Sequence, residues 1–338
     1  MKKITIRKGL GIYLSMLVVI SILFVCNTSF GQTKNWPRAV TIGTGSIGGV
    51  AYLHGAAVAK VIYDKMGISA NAEVTGGSVH NVKLVNSKEA VMASSHAASA
   101  YDGWNGMDWA KGVKYQDIRS LFHEYDTFVQ LYALKKSEVK SIYDLNGKNL
   151  GVGPLGGFPH ILFPGIFEGL GIKASRYINA GIADLDTQVR DGLIHANANI
   201  TGMPWVAIRE IESVLDVNVF GVSKKDFLKA GKMPERYPFM GSRIIAKGTY
   251  KANKDSDIET LTLGSFYYVH KDTPEDFVYE VVKNVCKNWD AIAAQVPASK
   301  GEKPEAVLDY APVPLHPGAL KYFRELGLKI PDRMMPPK

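Results

Sequence analysis

Three glycine-rich segments carry the clearest chemical signal of the 338-residue sequence. Residues 43–48 (GTGSIG), 75–78 (TGGS) and 151–157 (GVGPLGG) each stand between a β-rich run and a helical pattern. Glycine lets a backbone turn sharply and approach a ligand, and the free amides of a helix N-terminus attract an anion. A carboxylate can use these amides as well as a phosphate can. Their recurrence predicts a binding site for a small anion.

Residues 43–48 also match the G-x-G-x-x-G pattern of dinucleotide-binding turns. That pattern needs an acidic residue about 20 positions further on, at the end of the second strand. Asp64 instead lies at the end of a predicted helix, and Glu73 lies inside the predicted second strand. We therefore expect no cofactor, and a dinucleotide is the weaker alternative.

The sequence contains no known motif for catalysis or metal binding. The eight histidines include no H-E-x-x-H pair, and the sequence contains no G-x-S-x-G elbow. Cys286 lies in an apolar helical pattern, where a lone cysteine is most often a core residue. We expect neither an enzyme nor a metal site, with a secreted enzyme on the same fold as the weaker alternative.

The N-terminus has the features of a secretory signal peptide. Lys2, Lys3, Arg7 and Lys8 precede an apolar run over 10–25, and small residues at 29 and 31 suit a cleavage site. We predict a signal peptide over 1–31 and a periplasmic location. An uncleaved anchor and a lipid anchor at Cys26 are less favoured, since the run is short for a membrane span and Val25 is large for a lipobox.

Charge argues against nucleic acid as a partner. The formal net charge of +8 includes four basic residues that the predicted signal peptide removes. The remaining basic residues are scattered among acidic ones and form no stripe with aromatic residues.

Strand and helix patterns alternate from residue 39 onward, which is typical of an α/β fold with parallel sheets covered by helices. The strands are predicted at 39–45, 70–75, 90–95, 149–153, 175–180, 194–200 and 217–222. The helices are predicted at 49–66, 79–87, 97–104, 158–169, 184–191, 204–214, 274–295 (capped by Thr273) and from Pro317 to a left-handed end at Gly327.

Two long β-rich stretches, 118–134 and 258–270, separate the two series of elements. We expect a break in the first stretch at its acidic middle, 124–126. The chain would cross once into a second lobe and once back, with a hinge at each crossing. Lobe 1 is then predicted over 36–126 plus 258–338, and lobe 2 over 127–257.

Several motifs resemble the TAXI-type solute-binding proteins of tripartite ATP-independent periplasmic (TRAP) transporters. The similarity covers nearly all of the chain after the predicted signal peptide. It lies in residues 41–52 (TIGTGSIGGVAY), 73–85 (EVTGGSVHNVKLV), 101–102 (YD), 144–154 (DLNGKNLGVGP), 191–192 (DG), 202–204 (GMP), 275–283 (EDFVYEVVK) and 314–327 (PLHPGALKYFRELG).

This resemblance implies a two-lobed, type II periplasmic-binding-protein fold. It also implies that the protein delivers a small organic acid or amino-acid-like carboxylate to a TRAP membrane permease. A ligand-sensing periplasmic protein of a signalling system is the alternative. Carried over by position, and with neighbouring residues added, the predicted ligand-binding residues are Ser46, Ile47, Gly48, Thr75, Gly77, Ser78, Asn81, His96, Gly156, Gly157, Phe158 and Trp205.

The sequence also departs from the family pattern. Residues 156–159 read GGFP where Gly-Ser-Gly-Thr is common, so two hydroxyl groups are lost and an aromatic ring enters. His96 and His195 also replace residues common in the family. An unmatched buried polar group costs roughly 1 to 3 kcal/mol, so such changes alter specificity. With Tyr101 and Trp205 also near, we expect a carboxylate with an apolar or aromatic body.

Overall fold

The computed structural model describes residues 35–337. Within this range, only the backbone of Tyr310 is described, and its side chain is not. The predicted signal peptide and Cys26 lie outside the described residues. Within 35–337, none of the helices has the length and apolar character needed to cross a membrane.

The first series of elements follows the predicted alternation closely. It consists of β1 (Ala39–Gly43), α1 (Val50–Met66), β2 (Ser69–Glu73), α2 (Ser78–Asn86), β3 (Met92–His96), α3 (Ala97–Asn105) and β4 (Ile118–Leu134).

The second series has shorter elements. It consists of β5 (Asn149–Gly151), α4 (Pro159–Leu170), β6 (Arg176–Ile178), α5 (Ile182–Arg190), β7 (Ala196–Thr201), α6 (Val206–Ile211), β8 (Val217–Phe220), α7 (Lys224–Phe227), α8 (Met233–Arg236) and β9 (Gly241–Ile245). The chain ends with β10 (Ile258–His270), α9 (Glu275–Lys287), α10 (Trp289–Gln295), α11 (Val307–Tyr310) and α12 (Pro317–Glu325).

One sheet runs through both lobes, in the order β2-β1-β3-β10-β4-β7-β5-β6. In lobe 1, β1 is parallel to β2 and β3, and β3 pairs with the C-terminal half of β10. In lobe 2, β5 is parallel to β6 and β7, and β7 pairs with β4 from Phe128 onward. The α/β, two-lobed fold is confirmed, with parallel strands within each lobe and two antiparallel long strands shared between lobes.

The two long strands pair with each other where they pass between the lobes. Phe128 lies opposite Thr262 and Asp126 opposite Gly264. These residues lie within the two long β-rich stretches, and the lobe boundaries at 126/127 and 257/258 remain a prediction.

The predicted break at 124–126 is wrong, because β4 is continuous and buried along its whole length. Its acidic middle contains a β-bulge: Ser265 pairs with Tyr125 and Phe266 with His123, which leaves Glu124 as the extra residue. Polar partners inside the protein replace water around this carboxyl, so the acidic residue does not end the strand.

The predicted helix over 274–295 is two helices, because Asn288 leaves the helical region with φ −111° and ψ 19°. Its predicted cap at Thr273 is also wrong: Pro274 occupies the N-cap position, and no side chain caps the helix there. The terminal helix does begin at Pro317, where the His316 ring accepts a hydrogen bond from the Gly318 amide. Gly327 is left-handed, with φ 74°, as expected.

Candidate ligand-binding site

The turn between β1 and α1 leads the chain over the end of the sheet. The Thr44 amide donates to the Glu73 carbonyl and the Gly49 amide to the Ser46 carbonyl, both at 3.0 Å. Gly48 has φ 84°, a left-handed conformation that favours glycine. This conformation holds Ser46 beside the cleft.

The turn between β2 and α2 is fixed to the first turn by Asn81. The side-chain amide of Asn81 donates to the Thr44 carbonyl at 2.6 Å and to the Ser94 carbonyl at 2.7 Å. The Thr75 hydroxyl lies 2.7 Å from the Thr44 carbonyl. Gly77 has φ 96° and leads into α2. Asn81 and Thr75 thus hold the glycine turns in place by bonds within lobe 1.

The third turn, between β5 and α4, approaches from lobe 2 and touches the second. The Gly156 carbonyl accepts hydrogen bonds from the amides of Val79 at 2.9 Å and His80 at 3.4 Å. A Cβ atom added to Gly156 would lie 2.7 Å from the Gly76 carbonyl oxygen, and one added to Gly77 would lie 3.2 Å from Gly157 Cα. The lobes are therefore closed, and only glycine permits this approach.

A cavity of about 70 Å³ lies between the lobes, beside these turns. It is lined by Thr44, Gly45, Ser46, Gly49, Val50, Ala51, Gly77, Ser78, Ser94, His96, Tyr125, Pro154, Gly157, Phe158, Pro159, Ile182, Asn199, Ile200 and Thr201. An apolar cavity of about 150 Å³ holds one benzene molecule, so this cavity, at about 70 Å³, is too small for a guest the size of an amino acid such as glutamate. A guest of that size requires the lobes to separate.

The predicted residues fall into two groups. Six of them line the cavity: Ser46, Gly77, Ser78, His96, Gly157 and Phe158. The other six, Ile47, Gly48, Thr75, Asn81, Gly156 and Trp205, do not.

Among these, Ile47 is 63% exposed. Trp205 is fully buried in the core of lobe 2, where its ring packs on Tyr132 with centroids 5.5 Å apart. Tyr101, expected near the ligand, packs instead on Phe239.

Several cavity residues were missed in the sequence. Thr44 follows β1, and Asn199 to Thr201 end β7, so the rule that ligands bind at the carboxyl ends of parallel strands could have found them. Ser94 and Tyr125 carry no such signal, because they lie inside the buried strands β3 and β4 and reach the cavity only through the sheet register.

His96 connects the two lobes across the cavity. Its Nδ1 atom lies 3.1 Å from Ser78 Oγ, and its ring lies 6.1 Å from the Phe158 ring. Burial lowers the pKa of His96 to about 4, and a hydrogen bond with the Ile200 backbone opposes this only in part. His96 is therefore neutral at neutral pH and can offer hydrogen bonds, but no charge, to the cavity.

A second contact between the lobes begins at Phe158, whose ring packs edge-on against Tyr237. The Tyr237 hydroxyl donates to Asp102 Oδ2 at 2.8 Å, and Arg236 Nη2 lies 3.1 Å from the same oxygen. Arg236 also contacts Asp108. Asp102 is fully buried, and burial raises its pKa while Arg236 and Tyr237 oppose the increase. These charges join α3 of lobe 1 to α8 of lobe 2.

A larger groove, of about 840 Å³, lies away from the cleft. Its lining residues all come from the segment 286–305, so it does not lie between the lobes. It includes Cys286, whose thiol pKa is raised by burial, so the thiol is not an activated nucleophile.

Comparisons with known proteins identify the family and support the fold. A model of the NMT1-like family matches residues 42–327. The structure is similar to that of the periplasmic binding protein BugD, with 13% identity, a TM-score of 0.54 and coverage of 88% of this chain and 100% of BugD.

It is also similar to MatC from Rhodopseudomonas palustris, solved with bound malate, with 13% identity, a TM-score of 0.53 and coverage of 86% of this chain and 97% of MatC. A protein from Bordetella bronchiseptica RB50 is 18% identical, with a TM-score of 0.50 and coverage of 88% of this chain and 91% of its own. At these identities the likeness shows the periplasmic-binding-protein-like fold.

Proposed function

Since this chain belongs to the NMT1-like family, we propose that it is an extracytoplasmic solute-binding protein that captures a small carboxylate between its lobes. One observation carries the proposal: glycine turns from opposite lobes meet beside a cavity at the ends of β1, β3 and β7. This is where open α/β sheets bind ligands.

The cavity wall supports an anionic guest bound through neutral donors. Within the described residues, no lysine or arginine lines it. The neutral donors include the hydroxyls of Ser46, Ser78 and Thr201, the His96 ring and the amides at the start of α2. Opening the lobes frees the Val79 and His80 amides from the Gly156 carbonyl, and a carboxylate can then take its place.

The rest of the wall supports an apolar body on that carboxylate. Val50, Tyr125, Phe158 and Ile182 surround the space next to the polar turns. An aromatic or branched acid would bury its apolar part against these side chains, at about 25 cal/mol per Å² removed from water. We therefore propose an apolar or aromatic acid ahead of glutamate or malate.

Capture would proceed by hinge bending where β4 and β10 cross between the lobes. The guest binds to the lobe 1 turns, and the turn at 154–159 then closes over it. We further propose that the closed protein docks on a TRAP permease, an expectation that rests on the TAXI resemblance. Transport in proteoliposomes that hold such a permease, with and without this chain, tests that step.

Native mass spectrometry of the protein purified without added ligand, followed by calorimetry with phenylacetate, malate and glutamate, tests the binding proposal. We expect a co-purified carboxylate, and tighter binding of phenylacetate than of glutamate. Glutamate binding as tightly as phenylacetate would refute the preference for an apolar body. Failure of all three acids to bind, with no co-purified anion, would refute the proposed function.

A further inference from the structure

A fully buried carboxyl group lies directly behind the wall of the cavity. Glu124 is the extra residue of the β4 bulge and is 0% exposed. Its Oε2 atom lies 2.5 Å from Ser94 Oγ and 2.7 Å from Ser265 Oγ. Ser94 lines the cavity, whereas Ser265 does not. One hydrogen bond therefore connects this buried carboxyl group with the space for the solute.

No cation compensates Glu124 among the described residues. From α1, His54 Nδ1 lies 3.6 Å from Glu124 Oε1, but it also lies 3.0 Å from the Tyr267 hydroxyl. Burial and the nearby His123 lower the pKa of His54 to about 3, so His54 is neutral at neutral pH. Glu124 Oε1 itself accepts no hydrogen bond from the part of the chain that the structure describes.

The other titratable groups around Glu124 do not supply a charge to it. Tyr125 on β4 and Tyr267 on β10 have pKa values raised well above the usual value by burial and by Glu124 itself, so both are neutral phenols. His123 faces Asp126 at 3.3 Å and Glu302 at 3.9 Å.

Arg243 pairs with the same two carboxyl groups, at 2.5 Å from Asp126 and 3.5 Å from Glu302. Arg243 thus supplies the positive charge for Asp126 and Glu302, and it does not pair with Glu124. An ionised Glu124 would stand alone in the core, which is costly.

Protonation of Glu124 changes what the cavity offers. Burial raises the pKa of Glu124 to about 7, and hydrogen bonds from Ser94, Ser265 and Tyr267 oppose this only in part. When Glu124 is ionised, the Ser94 hydroxyl donates its hydrogen to it and presents only lone pairs to a guest. When Glu124 is neutral, it can donate to Ser94, and the Ser94 hydrogen can turn toward the cavity.

We propose that Glu124 couples solute binding to the uptake of one proton, so that the site accepts a carboxylate only when Glu124 is neutral. An anion in the cavity repels an ionised Glu124, and it gains a donor at Ser94 when Glu124 takes a proton from solvent. The proton leaves again with the solute, and no covalent bond changes. The inference rests on the proposed function, because it requires an anionic solute.

The first test uses the free protein and needs no solute. In protein labelled with ¹³C at the glutamate carboxyl carbons, we expect one signal to titrate near pH 7 and to be absent in Glu124→Gln. Titration of every glutamate below about pH 5.5 would overturn the proposal. Should Glu124→Gln fail to fold, Ser265→Ala is the second variant, and loss of this hydrogen bond should move the same signal to higher pH. An unmoved signal would then count against its assignment to Glu124 and against the proposal.

Stability provides a second readout on the free protein. Because the pKa of Glu124 is raised from 4.5 to about 7 on folding, the folded state keeps the proton longer than the unfolded state. The stabilisation of the folded state by the proton on Glu124 is complete below pH 4.5, and it is lost as the pH rises to about 7. The unfolding midpoint in urea should therefore fall between pH 5 and pH 7.5 by more in the wild type than in Glu124→Gln. Equal changes would contradict the proposal.

The coupling itself is tested by calorimetry with phenylacetate and malate at pH 6.0 and 8.5, in buffers of different ionisation heat. We expect proton uptake in the wild type and an affinity that falls at higher pH, by at most about tenfold per pH unit. Ser265→Ala should keep this pH dependence. Ser94→Ala should reduce it, because the donor is lost while the repulsion from ionised Glu124 remains, and Glu124→Gln should lose it.

The outcomes separate the two claims. A probe that binds with no proton uptake, or with the same pH dependence in Glu124→Gln, overturns the coupling and leaves the proposed function standing. A Glu124 that titrates near pH 7 in a protein that binds neither acid at any pH refutes the proposed function, and the coupling with it.

Discussion

At the scale of single residues, the site separates side chains that face the cavity from those that hold the turns. Ser46 and Ser78 line the cavity, whereas Asn81 is buried and donates to two backbone carbonyls. The sequence pattern could place all three near the glycine turns, because all three lie within the glycine motifs at 41–52 and 73–85. It could not separate their roles, since the direction of each side chain depends on neighbouring turns that are distant in the chain.

We predict that Ser46→Ala and Ser78→Ala each weaken binding of the preferred carboxylate about tenfold. A hydrogen bond to a charged group contributes about 1.5 kcal/mol or more, and 1.4 kcal/mol corresponds to a factor of ten. Calorimetry measures the affinity. The matched control is Ser87→Ala, on an exposed serine just past the other end of α2. Unchanged affinity in both cavity variants would remove these hydroxyls from the site.

Asn81→Ala should lower the stability of the free protein, and not only its affinity for the ligand. It leaves the buried carbonyls of Thr44 and Ser94 without this donor, at a cost of about 1 to 3 kcal/mol. Urea unfolding of the free protein measures the loss of stability. A variant as stable as the wild type would show that Asn81 does not hold the turns.

At the scale of elements, the glycine turns bring the backbones of the two lobes into contact, and this contact makes a steric prediction. A Cβ atom at Gly156 would lie 2.7 Å from the Gly76 carbonyl oxygen, so Gly156→Ala should hold the two turns further apart. The turn at 154–159 then covers the guest less completely, and binding should weaken. Each lobe should still fold, because this contact lies between lobes. Calorimetry and circular dichroism measure the two effects.

Gly181→Ala is the matched control for this variant. Its φ of −62° suits alanine, and the nearest atom to an added Cβ lies at an ordinary 3.6 Å. We expect its affinity to equal that of the wild type. If Gly156→Ala binds as tightly as Gly181→Ala, then closure does not require this contact.

The contact between α3 and α8 is the second link between lobes, and it should slow the release of the solute. Arg236→Gln removes the cation beside the buried Asp102, which leaves that carboxyl without its charge partner in the closed state. We expect faster dissociation, by roughly tenfold, in stopped-flow experiments. Arg209→Gln is the control, because Arg209 is exposed and donates to Thr249 within lobe 2. Equal dissociation rates in the two variants would show that the contact does not hold the lobes.

The sequence predicted the alternation of strands and helices well, because each element carries its own periodicity and its own glycine or proline boundary. It failed where distant contacts decide. The acidic middle of β4 predicted a break, but Ser94 and Ser265 from neighbouring strands hold Glu124 inside a continuous strand. Trp205 was predicted at the ligand together with Tyr101 and His96, whereas the core of lobe 2 buries it against Tyr132.

At the scale of the whole molecule, two strands shared between the lobes allow closure without a rupture of either core. β4 and β10 pair with each other at the crossing, and each also continues into the sheet of both lobes. Bending there changes the distance between the glycine turns while the pairs within each lobe stay intact. Because the closed cavity of about 70 Å³ is too small for an amino acid, the account requires this motion for binding.

The most direct test of capture between the lobes is a crystal structure of residues 32–338 grown with the tightest-binding carboxylate. We expect the carboxylate within hydrogen-bond distance of Ser46, Ser78 and the first amides of α2, with Phe158 over its apolar part. A carboxylate found in the groove beside Cys286, or at any place that only one lobe touches, would contradict it.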